Sequence, residues 1–218
     1  MSKTGKPTES TPPRDRQATR ARLIEAVGGL LAQKGFTGLG INAVAREAGV
    51  DKVLIYRYFG GLPGLMAAYA REGDFWPSLK ELAGGDLEAF LQLPLPERLS
   101  RLTGHYVRAI RRRPITQEIM AWEMVERNEL TEELEAVREA SALQMLDLFL
   151  PPGEQGPDLA PLMTLVGAAL TYLLVRSRKI RWYSGLDLQS DTSWNRLEAG
   201  IREIVQGLLD GRERSLSR

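Results

Sequence analysis

The sequence predicts an all-α protein: an N-terminal three-helix unit of helix-turn-helix form, followed by a larger helical domain. Three observations carry this. Apolar residues recur at helical spacing from Leu23 to Leu208. No alternating run of β-branched residues of strand length occurs. Clusters of Gly and Pro, such as Gly60-Gly61-Leu62-Pro63-Gly64 and Pro151-Pro152-Gly153, divide the periodic segments.

Residues 1–17 are Pro, Ser, Thr and basic residues with little to bury, and read as a disordered basic arm. A helix follows with Leu23, Val27, Leu30 and Leu31 on one face, and Gly35 suits the left-handed position past its end. Two short helical patterns, 41–48 and 51–58, are split by Gly49. A helix begins near Leu62 and is expected to run on through Phe75 and Trp76. Further helices are expected over 96–112, from Pro114, over about 130–150, 158–182 and 192–210. The expected organisation is an arm (1–17), a first domain (18–64) and a second domain (65–218).

The net charge is only +1, but it is unevenly spread. Residues 1–60 hold ten basic and five acidic residues, leaving 19 basic and 23 acidic for the remainder. A polyanion would therefore meet the front of the chain. With no cysteine, thiol chemistry and cysteine-ligated metal are excluded. His105 is the single histidine, so no His-rich metal site or His dyad exists. No glycine-rich phosphate loop or paired metal-binding carboxylates appear, and neither an enzyme nor a cofactor is expected. The polar start (Met1–Pro13) is unlike a signal peptide. The apolar stretch 159–175 is too interrupted to span a bilayer, so the expectation is a cytoplasmic protein without membrane contact.

The informative stretch is residues 41–59. Val44, Ala45 and Ala48 give the first helix an apolar inner face, and Gly49 supplies the turn. Val50 plugs the corner, while Ile55 and Phe59, four apart, dock the second helix. That leaves Asp51, Lys52, Val53, Leu54, Tyr56 and Tyr58 to face outward. Aliphatic and tyrosine side chains suit a DNA major groove, where apolar groups meet thymine methyls and hydroxyls reach phosphates.

Gly49-Val50 followed by Ile55-Tyr56-Arg57-Tyr58-Phe59 resembles the signature of the TetR (tetracycline-repressor) family, as does the Phe36-Thr37 step after Gly35. The resemblance covers roughly residues 20–70. It implies a homodimeric transcription regulator, expected to be a repressor, that binds double-stranded DNA at an inverted repeat and is released by a small effector. It further implies that Tyr56 and Tyr58 contact phosphates and that Lys52, Val53 and Leu54 lie at or near base edges. Asn42 reads either as an adenine contact or as a solvated polar residue. Gly40, Val53, Leu54 and Leu62 depart from the family, standing where Ser or Thr, Gly, Thr and Lys are frequent. Arg14, Arg16, Arg20 and Arg22 offer compensating charge to DNA, or form a solubilising tail.

The second domain would hold the sensor and the dimer interface. Segment 158–182 is apolar on two sides, one through Leu162, Val166 and Leu170, the other through Leu165, Ala168, Ala169 and Tyr172. With Gly200, Ile201, Ile204 and Leu208 of the last helix it resembles the family's four-helix dimer interface, with Gly167 among the small residues allowing close approach. Such an interface would bury above ~2,000 Å2. The expected pocket gathers His105, Tyr106, Met120, Trp122, Glu123 and Met124 around a mostly apolar effector of unknown identity, although Met120, Trp122 and Met124 also read as core. Glu123 pairs either with Arg127, four residues on, or with a cationic ligand. Arg111-Arg112-Arg113 reads as a solvated helix end. A constitutive DNA-binding dimer without an effector is the alternative.

Overall fold

The computed structural model describes residues 13–149 and 159–216. The chain divides into two units, Met1–Gly73 and Asp74–Arg218.

The first unit holds helices α1 (Pro13–Lys34), α2 (Ile41–Ala48), α3 (Val53–Phe59) and α4 (Leu62–Glu72), with a short 3-10 turn at Phe36–Gly38. Its α1 begins inside the stretch expected to be an arm. Proline needs no N–H in a first turn, and Asp15 complements the helix dipole there, so the helix extends back to Pro13. Residues 1–12 of the expected arm lie outside the described residues. Leu23, Val27, Leu30 and Leu31 are buried, and α1 packs on α2 and α4. Gly49 ends α2 in the left-handed conformation at φ 63°, and its N–H reaches the Arg46 carbonyl. The Asp51 carboxylate accepts from the Val53 N–H and starts α3 one turn later. Ile55 is fully buried and seats α3 against the unit's core.

The α3–α4 corner depends on Gly64. A Cβ at this position would stand 1.9 Å from the Phe59 carbonyl oxygen and 3.0 Å from its carbon. Backbone cannot yield as a side chain can. Gly64→Ala is therefore expected to cost at least ~3 kcal/mol, far more than an open-site glycine substitution. Gly49→Ala, where the added Cβ meets nothing within 4 Å, should cost only the ~1–2 kcal/mol of left-handed strain. Urea denaturation of the two variants ranks these costs.

The second unit contains α5 (Leu79–Leu82), α6 (Leu87–Leu91), α7 (Leu95–Arg111), α8 (Pro114–Glu123), α9 (Glu129–Phe149), α10 (Ala160–Arg176) and α11 (Asp191–Leu216). Ser78 and Asp86 cap α5 and α6 by accepting from the Glu81 and Ala89 N–H groups. The spine is α11 packed along α7. One core patch gathers Leu82, Phe90, Leu99, Phe149 and Val205. Another gathers Val107, Ile110, Met120, Leu170, Leu174 and Trp194.

Three expectations are corrected. The helix from Leu62 stops at Glu72, so Phe75 and Trp76 belong to the second unit's entering segment, where Phe75 is buried. The segment 158–182 is not one helix. It breaks after Arg176, and Trp182–Tyr183 (β1) pairs antiparallel with Leu186–Asp187 (β2). Ser184 and Gly185, at φ 47° and 79°, form the two-residue turn that such a hairpin favours. Finally, the arginines at the end of α7 are not simply solvated. Arg111 pairs with Asp191 and Arg112 with Glu81, while Arg113 forks between Asp74 and Glu81. Arg113 first, then Arg112, hold the Glu81 carboxyl below its ordinary range.

Candidate nucleic-acid interface and sensor site

The outward face of the first unit is built by α3. Val53 is 60% exposed and Tyr56 55%, although neither type favours solvent. Lys52, in the turn before α3, and Asn42, in the first turn of α2, are also exposed. Leu54 and Tyr58 are half-buried. All six residues expected to face DNA thus reach the surface to some degree, while their neighbours Val44, Ala45, Ala48 and Ile55 are buried.

Two of the arginines expected to offer charge to DNA bear on this face. The Arg16 guanidinium lies 5.4 Å from the Tyr58 ring centre, and that of Arg20 lies 5.2 Å from the Phe59 ring centre. Arg20 also forms a two-pronged ion pair with Glu72, which holds that carboxyl below its ordinary range. Arg20 is therefore occupied in bracing the unit. Arg16 is exposed beside Tyr58, where it adds positive charge.

The residues expected to form a pocket do not converge. Met120 is buried in the core, and Met124, one residue past α8, is half exposed. The His105 ring nitrogen Nδ1 shares a 2.7 Å hydrogen bond with the Leu82 carbonyl, and the ring lies beside Phe90. Trp122 is half-buried. Tyr106 and Glu123 are the two that form part of a shared polar cluster, together with Trp76, which was expected on the helix from Leu62, and Arg138, which the sequence pattern did not single out. Tyr106 shares a 3.3 Å hydrogen bond with the Thr171 hydroxyl, and burial raises its phenol above the ordinary range. Its ring centre is 5.9 Å from that of Trp76. The Arg138 guanidinium lies 6.0 Å from the Trp76 ring and 2.8 Å from Glu123 Oε2.

The expected Glu123–Arg127 pair is thus replaced by Glu123–Arg138, and Arg127 pairs with Glu132 instead. Glu123 is the last residue of α8 and its side chain, only 9% exposed, is directed to α9. Burial pushes its carboxyl up to about 7, against the pull of Arg138 and with a further push from Glu135.

A cleft of about 190 Å3 opens elsewhere in the second unit, between α7 and α11. It is lined by Val107 and Trp194 and by the charged Arg108, Arg111, Asp191 and Glu198. None of the six expected pocket residues lines it.

On α10 the two apolar sides separate. Leu170, expected at an interface, is buried in the chain's own core beside Val107, Trp194 and Leu174. Leu162 and Val166 are half-buried against the core patches. The other side is uncovered, with Leu165 at 70% exposure and Ala168, Ala169 and Tyr172 beside it. On α11, Ile204 and Leu208 are exposed, and Gly200 and Ile201 are half-buried. A Cβ added at Gly167, Gly200 or Gly207 would meet nothing within 4 Å.

No helix among the described residues is long and apolar enough to cross a membrane. The model of the tetR family of bacterial regulatory proteins matches residues 23–69. An HTH-type transcriptional repressor of Streptomyces coelicolor is 42% identical over 55 residues. That match covers 25% of this chain and 29% of the repressor's length. Among solved structures, the fatty acid degradation regulator FadR from Bacillus halodurans aligns with a TM-score of 0.60 at 17% identity, covering 91% of this chain and 97% of that one. NalD, the secondary repressor of the MexAB-OprM multidrug efflux pump in Pseudomonas aeruginosa, aligns with a TM-score of 0.60 at 19% identity over 86% and 95%. FadR from Bacillus subtilis, in complex with stearoyl-CoA, gives 0.56 at 17% identity over 85% and 96%. At these identities the structures establish a shared fold, while the matched segment coincides with α2, α3 and their supports. Residues 23–69 of the chain are thus similar to the tetR family of bacterial regulatory proteins.

Proposed function

We propose that this chain is a DNA-binding transcription regulator, acting as a repressor, which grips an inverted-repeat operator as a homodimer. The observation that carries the reading is the outward face of α3. Val53 and Tyr56 are exposed on a helix whose opposite side seats the buried Ile55, and Asn42 and Lys52 flank them. A polar rim around apolar and phenolic side chains matches the mixture of thymine methyls, base edges and phosphates in a major groove. The similarity of residues 23–69 to the family model supports it. Two such helices enter grooves about 34–36 Å apart, or a multiple of this.

The second unit is proposed to sense a small molecule. The similarity of its fold to a regulator holding stearoyl-CoA supports a ligand in this region. The effector binds DNA-free protein more tightly than DNA-bound protein, with a coupling of ~1–3 kcal/mol. Its chemistry is binding and not turnover.

The testing experiment is capture of genomic fragments by the purified protein, followed by sequencing and gel shifts on the recovered sites. Tyr56→Ala should weaken binding to every sequence about equally. Lys52→Ala and Asn42→Ala should each relax preference at one base position, by ~1–3 kcal/mol against the wrong base. Failure to enrich any fragment carrying an inverted repeat would overturn the reading, and unchanged base preference in both variants would remove their roles.

A further inference from the structure

The cleft between α7 and α11 holds two opposite charges that are incompletely paired. The Glu198 side chain is only 18% exposed, and its cation, Arg108, stands 3.7 Å away, beyond hydrogen-bond reach. Neither the carboxylate nor the guanidinium has a closer partner among the described residues. The neighbouring hydroxyls are spent elsewhere. Thr103 donates to the Leu99 carbonyl, and Ser100 to the backbone carbonyl of Glu198 itself. A carboxylate so far removed from water keeps much of its desolvation penalty unless donors meet it. Gly104 makes the room for it, since a Cβ on this residue of α7 would lie 2.6 Å from Glu198 Cδ. Glycine inside a helix is itself unfavourable relative to alanine. Two unfavourable choices thus meet at one point, as they do where a site is kept for binding. The rest of the cleft is apolar or already paired. Val107 and Leu170 are buried, and Leu197 is half-buried. Trp194 is buried with its indole N–H donated to the Leu188 carbonyl, so it offers the cleft only its ring. Arg111 is engaged by Asp191 and lies 5.8 Å from the Trp194 ring centre.

From this arrangement we infer that the cleft between α7 and α11 binds a small α-amino acid with an apolar side chain, as the zwitterion. The inference rests on the reading of the second unit as a sensor and names what that sensor takes. The ligand ammonium donates to the Glu198 carboxylate, and the ligand carboxylate accepts from the Arg108 guanidinium. An α-amino acid carries these two groups across one carbon, and the protein presents their counter-charges 3.7 Å apart, so one headgroup meets both. A ligand carboxylate alone would draw Arg108 away and leave Glu198 without a partner and largely out of water. An ammonium alone would take Glu198 and leave Arg108 unused. The ligand side chain lies on Val107, Leu170, Trp194 and Leu197, where each buried methylene adds to affinity. The cleft volume of about 190 Å3 is below the roughly 300–1,000 Å3 of pockets for drug-sized molecules and suits a ligand this small.

The test is calorimetric titration of the full chain with four probes. These are L-leucine; glycine, which lacks the side chain; 3-methylbutylamine, which lacks the carboxylate; and 4-methylpentanoate, which lacks the ammonium. The expected result is that L-leucine binds at least about tenfold tighter than each of the other three. Glu198→Gln, which keeps the shape and removes the charge, should lower L-leucine affinity at least about tenfold and leave that of 4-methylpentanoate undiminished. Arg108→Gln should lower L-leucine affinity in the same way and leave that of 3-methylbutylamine undiminished. No preference for L-leucine in the unaltered chain, including no binding of any probe, overturns the inference. So does an L-leucine affinity unchanged by either substitution. Tighter binding of the amine than of L-leucine would make the cleft a cation site and likewise overturn it. Gel shifts on the same preparation separate the two readings. DNA capture without L-leucine preference removes this site only. L-leucine preference without DNA capture removes the regulator reading and leaves the site.

Discussion

Replacing Leu165 and Tyr172 together by aspartate should convert the proposed dimer to a 24.3 kDa monomer and reduce operator affinity by about 10²–10⁴. The loss comes from two sources that act in the same direction. Each side chain lies on the uncovered side of α10, so placing a charge there costs the subunit's own fold little. In a dimer, the same charges would be buried without partners. Once the subunits part, each recognition helix binds alone, and the gain from linking two half-site contacts vanishes. The exposed Ile204 and Leu208 of α11 and the open space at Gly167, Gly200 and Gly207 support this face as the one covered by a second copy. A helical glycine costs ~1 kcal/mol relative to alanine, and nothing within the subunit approaches these three closely enough to need it. The hairpin extends the same side, since the Tyr183 ring meets Tyr172 at 5.6 Å and Trp182 is exposed. Light scattering and circular dichroism read the two effects separately. Retention of the dimer by a folded double variant would place the interface elsewhere.

Helices α1, α2 and α3 could be read in the sequence because each ends where a glycine permits a turn that other residues resist. Gly35, Gly49 and Gly60 all have positive φ. Ile55 and Val44 are buried because helical spacing leaves them no other face. The start of α1 was not legible, since a Pro-rich polar segment matches an arm as well as a first turn. The hairpin at Trp182–Asp187 was missed for a related reason. Strands of two residues contain no alternation, and the cue that remains is the Ser184-Gly185 step.

The sensor region was less legible than the DNA-facing one, and the difference is physical. On α3, local spacing alone decides which side chains are buried, so Val53 and Tyr56 had to face outward. In the second unit, partners are chosen by tertiary packing. Helical spacing offered Arg127 to Glu123, four residues on, but α8 ends at Glu123 and Arg127 lies beyond it in the connection to α9. Arg138 reaches Glu123 from the third turn of α9. Trp76 was expected on the helix from Leu62, but that helix stops at Glu72 and the segment between α4 and α5 is not helical. The run Arg111-Arg112-Arg113 looked like a solvated end because Asp74, Glu81 and Asp191 are distant in sequence. Met120 and Met124, equal in sequence terms, sit in opposite environments because α8 ends between them.

Stability should fall as pH rises from about 4.5 to about 7, by an amount that Glu123→Gln removes. The ordinary Glu value is 4.5, and burial raises Glu123 to about 7 in the folded chain. Between these values the folded state keeps a proton that the unfolded state has released. Stability therefore decreases with pH through this window and levels off above it. The full displacement corresponds to roughly 3 kcal/mol. Glutamine resembles the protonated carboxyl in shape and charge and does not titrate. The difference in unfolding free energy between Glu123→Gln and the unaltered chain should thus be nearly constant below about pH 4 and grow in favour of glutamine, by roughly 2–3 kcal/mol, up to pH 8. Arg138 and Glu135 face the carboxyl throughout, and their opposing influences are already contained in the raised value. The groups held low by arginine partners, Glu72, Glu81, Asp187 and Asp191, contribute a slope of opposite sign at more acidic pH. They are common to both proteins and cancel in the difference. Urea denaturation at pH 5, 6, 7 and 8 at fixed ionic strength measures it directly. A difference that stays flat across that range would mean that Glu123 is ionised in the folded chain well below pH 7, with Arg138 outweighing the loss of water around the carboxylate.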